Sequence, residues 1–217
     1  MTEESPPPSS SAAPAPAPGG SSPAKSHRTA VIVMPPVEIW DPIQAIRERH
    51  DKHIRRWMPH VNVLYPFAPH RELETRTEEL ERACAEIEPF EIALTGFRHF
   101  HHGRGKYTIW LLPEPDGPLQ ELAKHLTDRF PGFEDQFRHE NGFTPHLSVG
   151  QFRGFEAVRR FKEKHASRWK PLRFMVEALY VIEREDPPED VFRLFATAWL
   201  GPDSDLETGP EFAETDT

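Results

Sequence analysis

Two short stretches, Pro59-His60-Val61-Asn62-Val63 and Pro145-His146-Leu147-Ser148-Val149, share one pattern and determine how the rest of the chain is interpreted. Each contains, in order, a proline, a histidine, an aliphatic residue, a small hydrogen-bonding residue and a valine. The two histidines are 86 residues apart, which is enough chain for half of a duplicated domain. The repeat therefore predicts the two halves of one active site.

Both stretches have the composition of β-strands, in which alternate side chains face the same way. His60 and Asn62 would lie on one face of the first strand, with the two valines packed into the core behind them. His146 and Ser148 would lie in the same way in the second strand. Each half of the site would then offer one imidazole and one hydrogen-bonding side chain.

Paired imidazoles on opposite walls of a cleft can act as general base and general acid in one turnover, because imidazole titrates near neutrality. This arrangement suits in-line displacement at phosphorus, in which one histidine deprotonates the attacking oxygen and the other protonates the leaving oxygen. Asn62 and Ser148 would donate hydrogen bonds to the non-bridging oxygens, where negative charge lies. Such chemistry needs no metal and no cofactor, and the sequence leaves open which histidine is the base.

The elements around the two stretches follow the order βαβαββ and then αβαββ, so each histidine strand precedes a helix and a pair of strands. Adjacent strand pairs favour antiparallel hairpins. We therefore expect an α+β fold of two pseudo-symmetric lobes, with mainly antiparallel sheets, outer helices and a central cleft. The predicted strands are at about 29–34, 60–65, 90–95, 106–111, 146–152, 174–182 and 191–199, and the predicted helices are at about 41–54 (with Asp41 as N-cap), 72–87, 116–130 and 155–165.

Composition separates a folded region from two tails. Seven of the 24 prolines fall in residues 1–28, together with runs of Ser, Ala and Gly, so we expect this tail to be disordered. Residues 201–217 form an acidic tail that we also expect to be disordered, and it carries six of the nine excess negative charges. The near-neutral domain at 29–200 lacks the basic face needed for duplex DNA, although a local basic cleft stays possible.

Three features that the sequence lacks indicate the cellular compartment that we expect for this protein. Cys84 is the only cysteine, which excludes an intramolecular disulfide and a Cys-rich zinc site. No apolar run approaches the roughly 20 residues of a membrane span. The N-terminus also lacks the charged and apolar regions of a signal peptide. We expect an intracellular, cytoplasmic and monomeric protein with no membrane partner.

The paired strands resemble those of the 2H phosphoesterase superfamily, in particular its 2'-5' RNA ligase-like and cyclic phosphodiesterase members. The resemblance covers about residues 29–200 and is carried by residues 59–67 and 144–152. It implies a two-lobed α+β fold, metal-independent chemistry, and RNA termini or nucleotides with a 2',3'-cyclic phosphate or a 2'-5' linkage as substrates.

The same resemblance implies roles for individual residues. His60 and His146 would be the catalytic histidines, Asn62 and Ser148 would contact the phosphate, and Tyr65 would fill the aromatic position that closes the first motif. Asn62 departs from the family pattern, in which threonine is commonest. This departure bears on substrate choice more than on chemistry, since asparagine still donates a hydrogen bond.

A second departure is Gln151, which stands where many members carry a basic residue, so the phosphate charge could be met elsewhere. We favour Arg193 for this role, because its neighbours in the strand would face the core and leave it on the other side. The other basic candidates are Arg55, Arg56 and Lys106.

Two other function classes stay open. One is a protein that binds RNA ends or nucleotides without turnover. Asn62 favours this alternative, because it departs from the family pattern at a phosphate-contacting position. The other is a metal-dependent hydrolase built from the remaining histidines. A His-x-His-His loop without nearby Cys or carboxylate ligands favours a solvated or substrate-edge loop over a metal site, and two helical histidines are expected at the core edge. These residues are His99, His101 and His102 in the loop, and His50 and His53 in the helix.

Overall fold

Eight strands and four helices make up residues 23–138 and 142–202, the part of the chain that the computed structural model describes. Within these ranges no helix is long and apolar enough to cross a membrane. The elements are β1 (Thr29–Val33), α1 (Trp40–His50), β2 (Val61–Leu64), α2 (Leu73–Cys84), β3 (Phe90–His101), β4 (Lys106–Glu114), α3 (Gly117–Arg129), β5 (Leu147–Arg153), α4 (Phe155–His165), β6 (Leu172–Val176), β7 (Ala178–Glu183) and β8 (Arg193–Trp199).

All eight strands join one antiparallel sheet in the order β6-β3-β4-β5-β2-β1-β7-β8. We call β2, β1, β7 and β8 the first lobe, and β5, β4, β3 and β6 the second lobe. The lobes meet where β2 pairs with β5 at Val61 and Leu147, so the two histidine strands are neighbours at the centre. The predicted α+β fold with two antiparallel lobes is confirmed, and the lobes are two halves of a single curled sheet.

The lobes are not consecutive halves of the chain. β3 and β4 follow the first histidine strand in sequence, yet β4 pairs with the second, β5. In the same way β7 follows the second histidine strand but pairs with β1. The chain therefore exchanges strand pairs between the lobes.

The single strand expected at 174–182 is wrong, because this segment forms two strands at distant places in the sheet. β6 pairs with β3 at one edge, and β7 pairs with β1 and β8 on the other side of the centre. The break falls at the exposed Glu177. Apolar alternation continues from Phe174 through Ala178, and alternation alone does not specify a pairing partner.

The four helices bury apolar stripes against the sheet or against a neighbouring helix. α1 and α4 pack on the second lobe, while α2 packs on the first lobe and α3 packs on α2. Burial in α2 raises the pKa of Cys84 to about 12, as fits a small core residue. Helix α1 differs from its prediction at both ends. It begins at Trp40 after a 3-10 turn, without a side-chain cap from Asp41, and it ends at His50.

A bulge in the first histidine strand changes which side chains share a face. In the β1–β2 pairing, Ile32 lies opposite Asn62 and Val31 lies opposite Leu64. Two consecutive residues of β1 thus span three residues of β2, and Val63 is the extra residue of the bulge. After such a bulge the in-and-out alternation is reset.

The second histidine strand carries the matching bulge. In the β4–β5 pairing, Trp110 lies opposite Ser148 and Ile109 lies opposite Gly150, which leaves Val149 as the extra residue. The two bulges stand at equivalent positions, each three residues after its histidine. They bring Tyr65 and Gln151, which strict alternation would turn away, to the face that carries the histidines.

The start of the described chain lies against the fold before the expected boundary at Thr29. Ser26 exchanges backbone hydrogen bonds with Phe67, and Lys25 forms an ion pair with Asp135. The rest of the two expected tails, residues 1–22 and 203–217, lies outside the described residues.

Candidate active site

The central strand pair assembles the site. Because β2 and β5 run antiparallel and pair at Val61 and Leu147, His60 lies opposite Ser148 and Asn62 lies opposite His146. Side chains in such positions are neighbours on one face of a sheet. The four residues predicted from the repeat are therefore brought together in one patch.

His60 is held in a defined orientation and tautomer. Its Nδ1 donates a hydrogen bond to the carbonyl oxygen of Met58 at 2.7 Å, since a carbonyl can only accept. Its ring stacks on Trp57, with centroids 4.5 Å apart and an interplanar angle of 17°. The Nδ2 of Asn62 lies 3.2 Å from Nε2 and donates to it. In the neutral ring Nε2 thus carries the lone pair.

The surroundings of His60 keep it neutral at pH 7. Loss of solvent contact lowers the pKa of His60 to about 4, and the positive charges of Arg47 and His146 act in the same direction. The hydrogen bond to Met58 and the negative charge of Asp51 oppose this effect without cancelling it. An unprotonated Nε2 is the form that a general base requires.

His146 repeats the main-chain contact. Its Nδ1 donates to the carbonyl oxygen of Thr144 at 2.7 Å, again two residues earlier in the chain. Its aromatic neighbours differ, since the edges of Phe100 and Trp110 meet it with centroids 4.8 and 5.9 Å away. In both histidines the main-chain contact therefore fixes Nδ1 as the protonated nitrogen of the neutral ring.

The patch opens into a cleft of about 750 Å³. His60, Asn62, Tyr65, Ser148 and Gln151 line it, so five of the seven residues singled out from the sequence face the same space. A sixth, His146, lies opposite Asn62 in the strand pairing.

The seventh residue, Arg193, lies elsewhere. It is exposed at the start of the edge strand β8, opposite Glu183. The expectation that Phe192 turns inward is confirmed, because its ring lies 3.9 Å from Trp57. The cleft is on that same side, however, so Arg193 projects away from it. The sequence shows that the two residues face opposite ways, but not which face bears the cleft.

The other basic candidates have different positions. Arg56 and Lys106 line the cleft, whereas Arg55 lies at its rim. Arg55 and Arg56 both form ion pairs with Asp190, and these charges lower the pKa of that carboxyl group. Lys106 has no ion pair with Asp190, and it lies opposite Arg153, at the end of the cleft away from the paired histidines.

A buried ion pair beneath the cleft was not predicted. The guanidinium of Arg47 is almost fully buried, and it donates from Nε to Asp51 at 2.9 Å and from Nη2 to the carbonyl oxygen of Trp57 at 2.7 Å. The last contact fixes the segment that stacks on His60. The sequence signal for this ion pair was an arginine on the same apolar stripe of α1 as Ile43 and Ile46. A charge on such a stripe predicts a buried partner, because an unpaired charge is seldom buried.

Gln151 belongs to this network. Its Nε2 donates to Asp51 Oδ1 at 3.1 Å, and its Oε1 accepts from the backbone N–H of Lys52 at 3.1 Å. Gln151 thus ties the second lobe to the segment that follows α1. A neutral amide suits this position because it donates to one partner and accepts from another.

The histidines considered for a metal site have separate positions in the fold. His50 packs on Phe152 and Phe161, as expected for the core edge, while His53 lies beyond the end of α1 and lines the cleft. His99 and His101 are strand residues beside Tyr107, not members of a loop. Across residues 23–138 and 142–202 no three His, Cys, Asp or Glu side chains are grouped so as to hold a metal ion.

Comparisons with known proteins show the family of the chain. Residues 35–188 match the sequence model of the 2'-5' RNA ligase superfamily. A Geobacillus kaustophilus protein named "Putative phosphoesterase" is 31% identical over 123 residues, covering 56% of this chain and 67% of that protein. A protein of the same name from Geobacillus thermodenitrificans matches with the same identity and coverage.

Two solved structures share the fold. TT0787 of Thermus thermophilus is 21% identical with a TM-score of 0.53, covering 80% of this chain and 97% of that one. Escherichia coli LigT complexed with 3'-AMP is 15% identical with a TM-score of 0.54, covering 80% and 98%. The family match spans both histidine strands and confirms the resemblance to the 2H phosphoesterases. The chain belongs to the 2'-5' RNA ligase superfamily.

Proposed function

We propose that this protein is a metal-independent phosphoesterase that opens 2',3'-cyclic phosphates or cleaves 2'-5' linkages of RNA termini or nucleotides. The observation that carries the proposal is the pair of histidines on neighbouring strands, each with Nδ1 bonded to a carbonyl two residues earlier. This contact prepares two Nε2 atoms for proton transfer across one cleft. The fold is shared with Escherichia coli LigT, which has been crystallised with 3'-AMP, and this supports a nucleotide ligand.

The two histidines divide the proton transfers in this proposal. His60 is the base because its lowered pKa and the Asn62 contact keep Nε2 unprotonated. Nε2 of His60 takes a proton from the attacking water as the new P–O bond forms. The opposite P–O bond breaks, and protonated His146 gives its proton to the leaving ribose oxygen. The product is a phosphate monoester with a free ribose hydroxyl.

Asn62 and Ser148 are the proposed phosphate contacts. Substrate binding would draw the amide N–H of Asn62 from His60 to a non-bridging oxygen, where charge accumulates in the transition state. This exchange frees the lone pair of Nε2 when the base is needed.

A substrate panel in EDTA tests the proposal. It contains cyclic mononucleotides, oligonucleotides with a cyclic phosphate end and 2'-5'-linked oligonucleotides. We expect turnover of at least one class without added metal. The variant carrying both His60→Ala and His146→Ala, purified in parallel, controls for contaminating nucleases. Binding without turnover across the panel would instead indicate a binding protein. Activity that requires zinc or manganese after chelation would indicate a metal-dependent hydrolase.

A further inference from the structure

The cleft extends beyond the paired histidines along the second lobe. From Ser148 it follows β5 and its partner β4 towards the β3–β4 turn, where it is lined by Lys52, His102, Lys106, Thr108 and Arg153. We call these five residues the outer arm. From Ser148 to Arg153 the strand spans on the order of 15 Å at about 3.3 Å per residue. A phosphate held between the histidines would leave this arm free for other parts of a substrate.

The bulge at Val149 determines which side chains face the arm. It sets Gln151 and Arg153 on the same face as Ser148, opposite Thr108 and Lys106 on β4. The five residues of the outer arm therefore present ammonium, guanidinium, hydroxyl and imidazole groups to the cleft.

Two aromatic residues, Tyr107 and Phe152, also border the cleft. The strand alternation turns both towards the opposite face of the sheet. There the ring of Tyr107 contacts Phe155 of α4, and the ring of Phe152 contacts His50 of α1. Because both rings are packed against the helices, His102 is the ring of the outer arm that faces the cleft.

The positive charges of the arm are not neutralised within the described residues. Lys52, Lys106 and Arg153 are exposed, and none of them has a carboxylate of the described chain within ion-pair distance. The other two cations of the cleft are engaged, Arg47 by Asp51 and Arg56 by Asp190. Three uncompensated cations are thus gathered in one arm of a protein whose net charge is −9.

We propose that the outer arm binds backbone phosphates of a single-stranded oligonucleotide next to the reacting end, so that oligonucleotide ends are preferred over mononucleotides. This inference rests on the proposed function and specifies its substrate class. Cations and hydroxyls that follow a groove are the groups that hold a nucleic acid backbone, and they do so without reading bases. An arm dominated by such groups predicts a preference for length rather than for sequence.

The test compares two substrates and three proteins. Values of kcat/KM are measured for a 2',3'-cyclic mononucleotide and for a four-nucleotide RNA with a cyclic phosphate end. The arm variant carries Lys52→Ala, Lys106→Ala and Arg153→Ala. The control variant carries Lys164→Ala, Lys170→Ala and Arg193→Ala, which removes the same charge from exposed positions outside the cleft.

For the wild type we expect the oligonucleotide to be favoured at least tenfold. The arm variant should lose most of this preference and retain its rate on the mononucleotide within about twofold, while the control variant keeps both values. The slope of log kcat/KM against log salt for the oligonucleotide should also become shallower in the arm variant, by about 0.7 for each phosphate that it no longer binds.

Three results would overturn the inference. They are a wild type without length preference, an arm variant that keeps the preference, and a control variant that loses it equally. The proposed function fails separately, if none of the proteins turns over either substrate. In that case the affinities of the three proteins for the same RNA and mononucleotide, measured by fluorescence anisotropy, decide whether the arm binds the backbone.

Discussion

The two histidines of the site make the same main-chain hydrogen bond but have different side-chain neighbours. His60 and His146 each bond a carbonyl two residues earlier, and each strand is bulged three residues later. Around His60 the protein places a stacked indole and the amide of Asn62, whereas the edges of aromatic rings meet His146. The backbone thus positions both Nε2 atoms alike, whereas the side chains around the two rings differ.

The bulges themselves differ in what lies behind them. The residue after the extra valine is Leu64 in the first half and Gly150 in the second, and both are buried. Helix α1 packs on β5 so closely that a Cβ on Gly150 would lie 2.6 Å from the Cβ of His50. At this position the first lobe accommodates a leucine side chain, whereas the second lobe has no room for a methyl group.

The largest expected effect is the loss of catalysis on removing either histidine. His60→Ala and His146→Ala should each lower kcat/KM for a cyclic phosphate substrate by about 10²–10⁴-fold, the usual contribution of a general acid or base. Since the two act in one step, the double variant should be little worse than the poorer single one. His70→Ala, at an exposed histidine outside the cleft, is the control. A single variant with wild-type turnover would refute the shared site.

Stability should respond differently at the two bulges. Leu64→Ala leaves a cavity and should lower the free energy of unfolding by roughly 2–5 kcal/mol. Gly150→Ala overpacks the α1 contact and should cost about 1–3 kcal/mol. Gly96→Ala is the matched control, because a Cβ there meets nothing within 4 Å and the backbone φ is not positive. Urea denaturation measures all three. Equal effects at Gly150 and Gly96 would show that the close packing of α1 is not the constraint.

The acid limb of the pH profile tests the assignment of the base. The pKa of His60 is lowered to about 4, so the ring stays neutral until the pH falls through that value. The acid limb of kcat/KM, which reports the free enzyme, should therefore lie well below 6.5. Stability follows the same sign. The unfolded chain binds this proton from about pH 6.5 downwards, so the free energy of unfolding should fall between about pH 6.5 and 4, by at most about 3 kcal/mol. An acid limb near 6.5 would assign the base elsewhere.

The smallest expected effect comes from making the halves more alike. Asn62→Ser removes the amide that donates to Nε2 of His60, and a shorter hydroxyl replaces it. Protonation of His60 becomes easier, so the acid limb should move upwards while kcat/KM at neutral pH falls by about tenfold or less. Ser148→Asn is the reciprocal variant and should leave the acid limb in place. An unmoved limb in Asn62→Ser would mean that Asn62 does not tune the base.

Local periodicity predicted most of the elements and the central patch. Helix α4 has the predicted bounds of Phe155 and His165, because its apolar spacing and flanking glycine are local signals. The in-and-out alternation of His60 and Asn62 is likewise a property of four consecutive residues. The twin motif could therefore be interpreted without knowing how its strands pair.

Features that depend on distant partners could not be predicted. The break between β6 and β7 follows from which strand each one pairs with, and the bulge at Val149 follows from the register with β4. Burial of Arg47 depends on Asp51 and, through it, on Gln151 one hundred residues away. The prediction that Arg193 contacts the substrate was wrong for the same reason. The sequence shows that Arg193 faces away from Phe192, but the position of the cleft depends on the pairing of distant strands.

The exchange of strand pairs between the lobes makes the protein indivisible. The first lobe is complete only when β1 pairs with β7, which joins Thr29 to Glu183 near opposite ends of the described chain. Neither half of the chain contains all the strands of either lobe, so neither lobe could be excised, grafted or inherited as a module. Folding must close these long loops before either sheet half is whole, which predicts slow, all-or-none folding. The repeat visible in ten residues thus lies within a single cooperative unit.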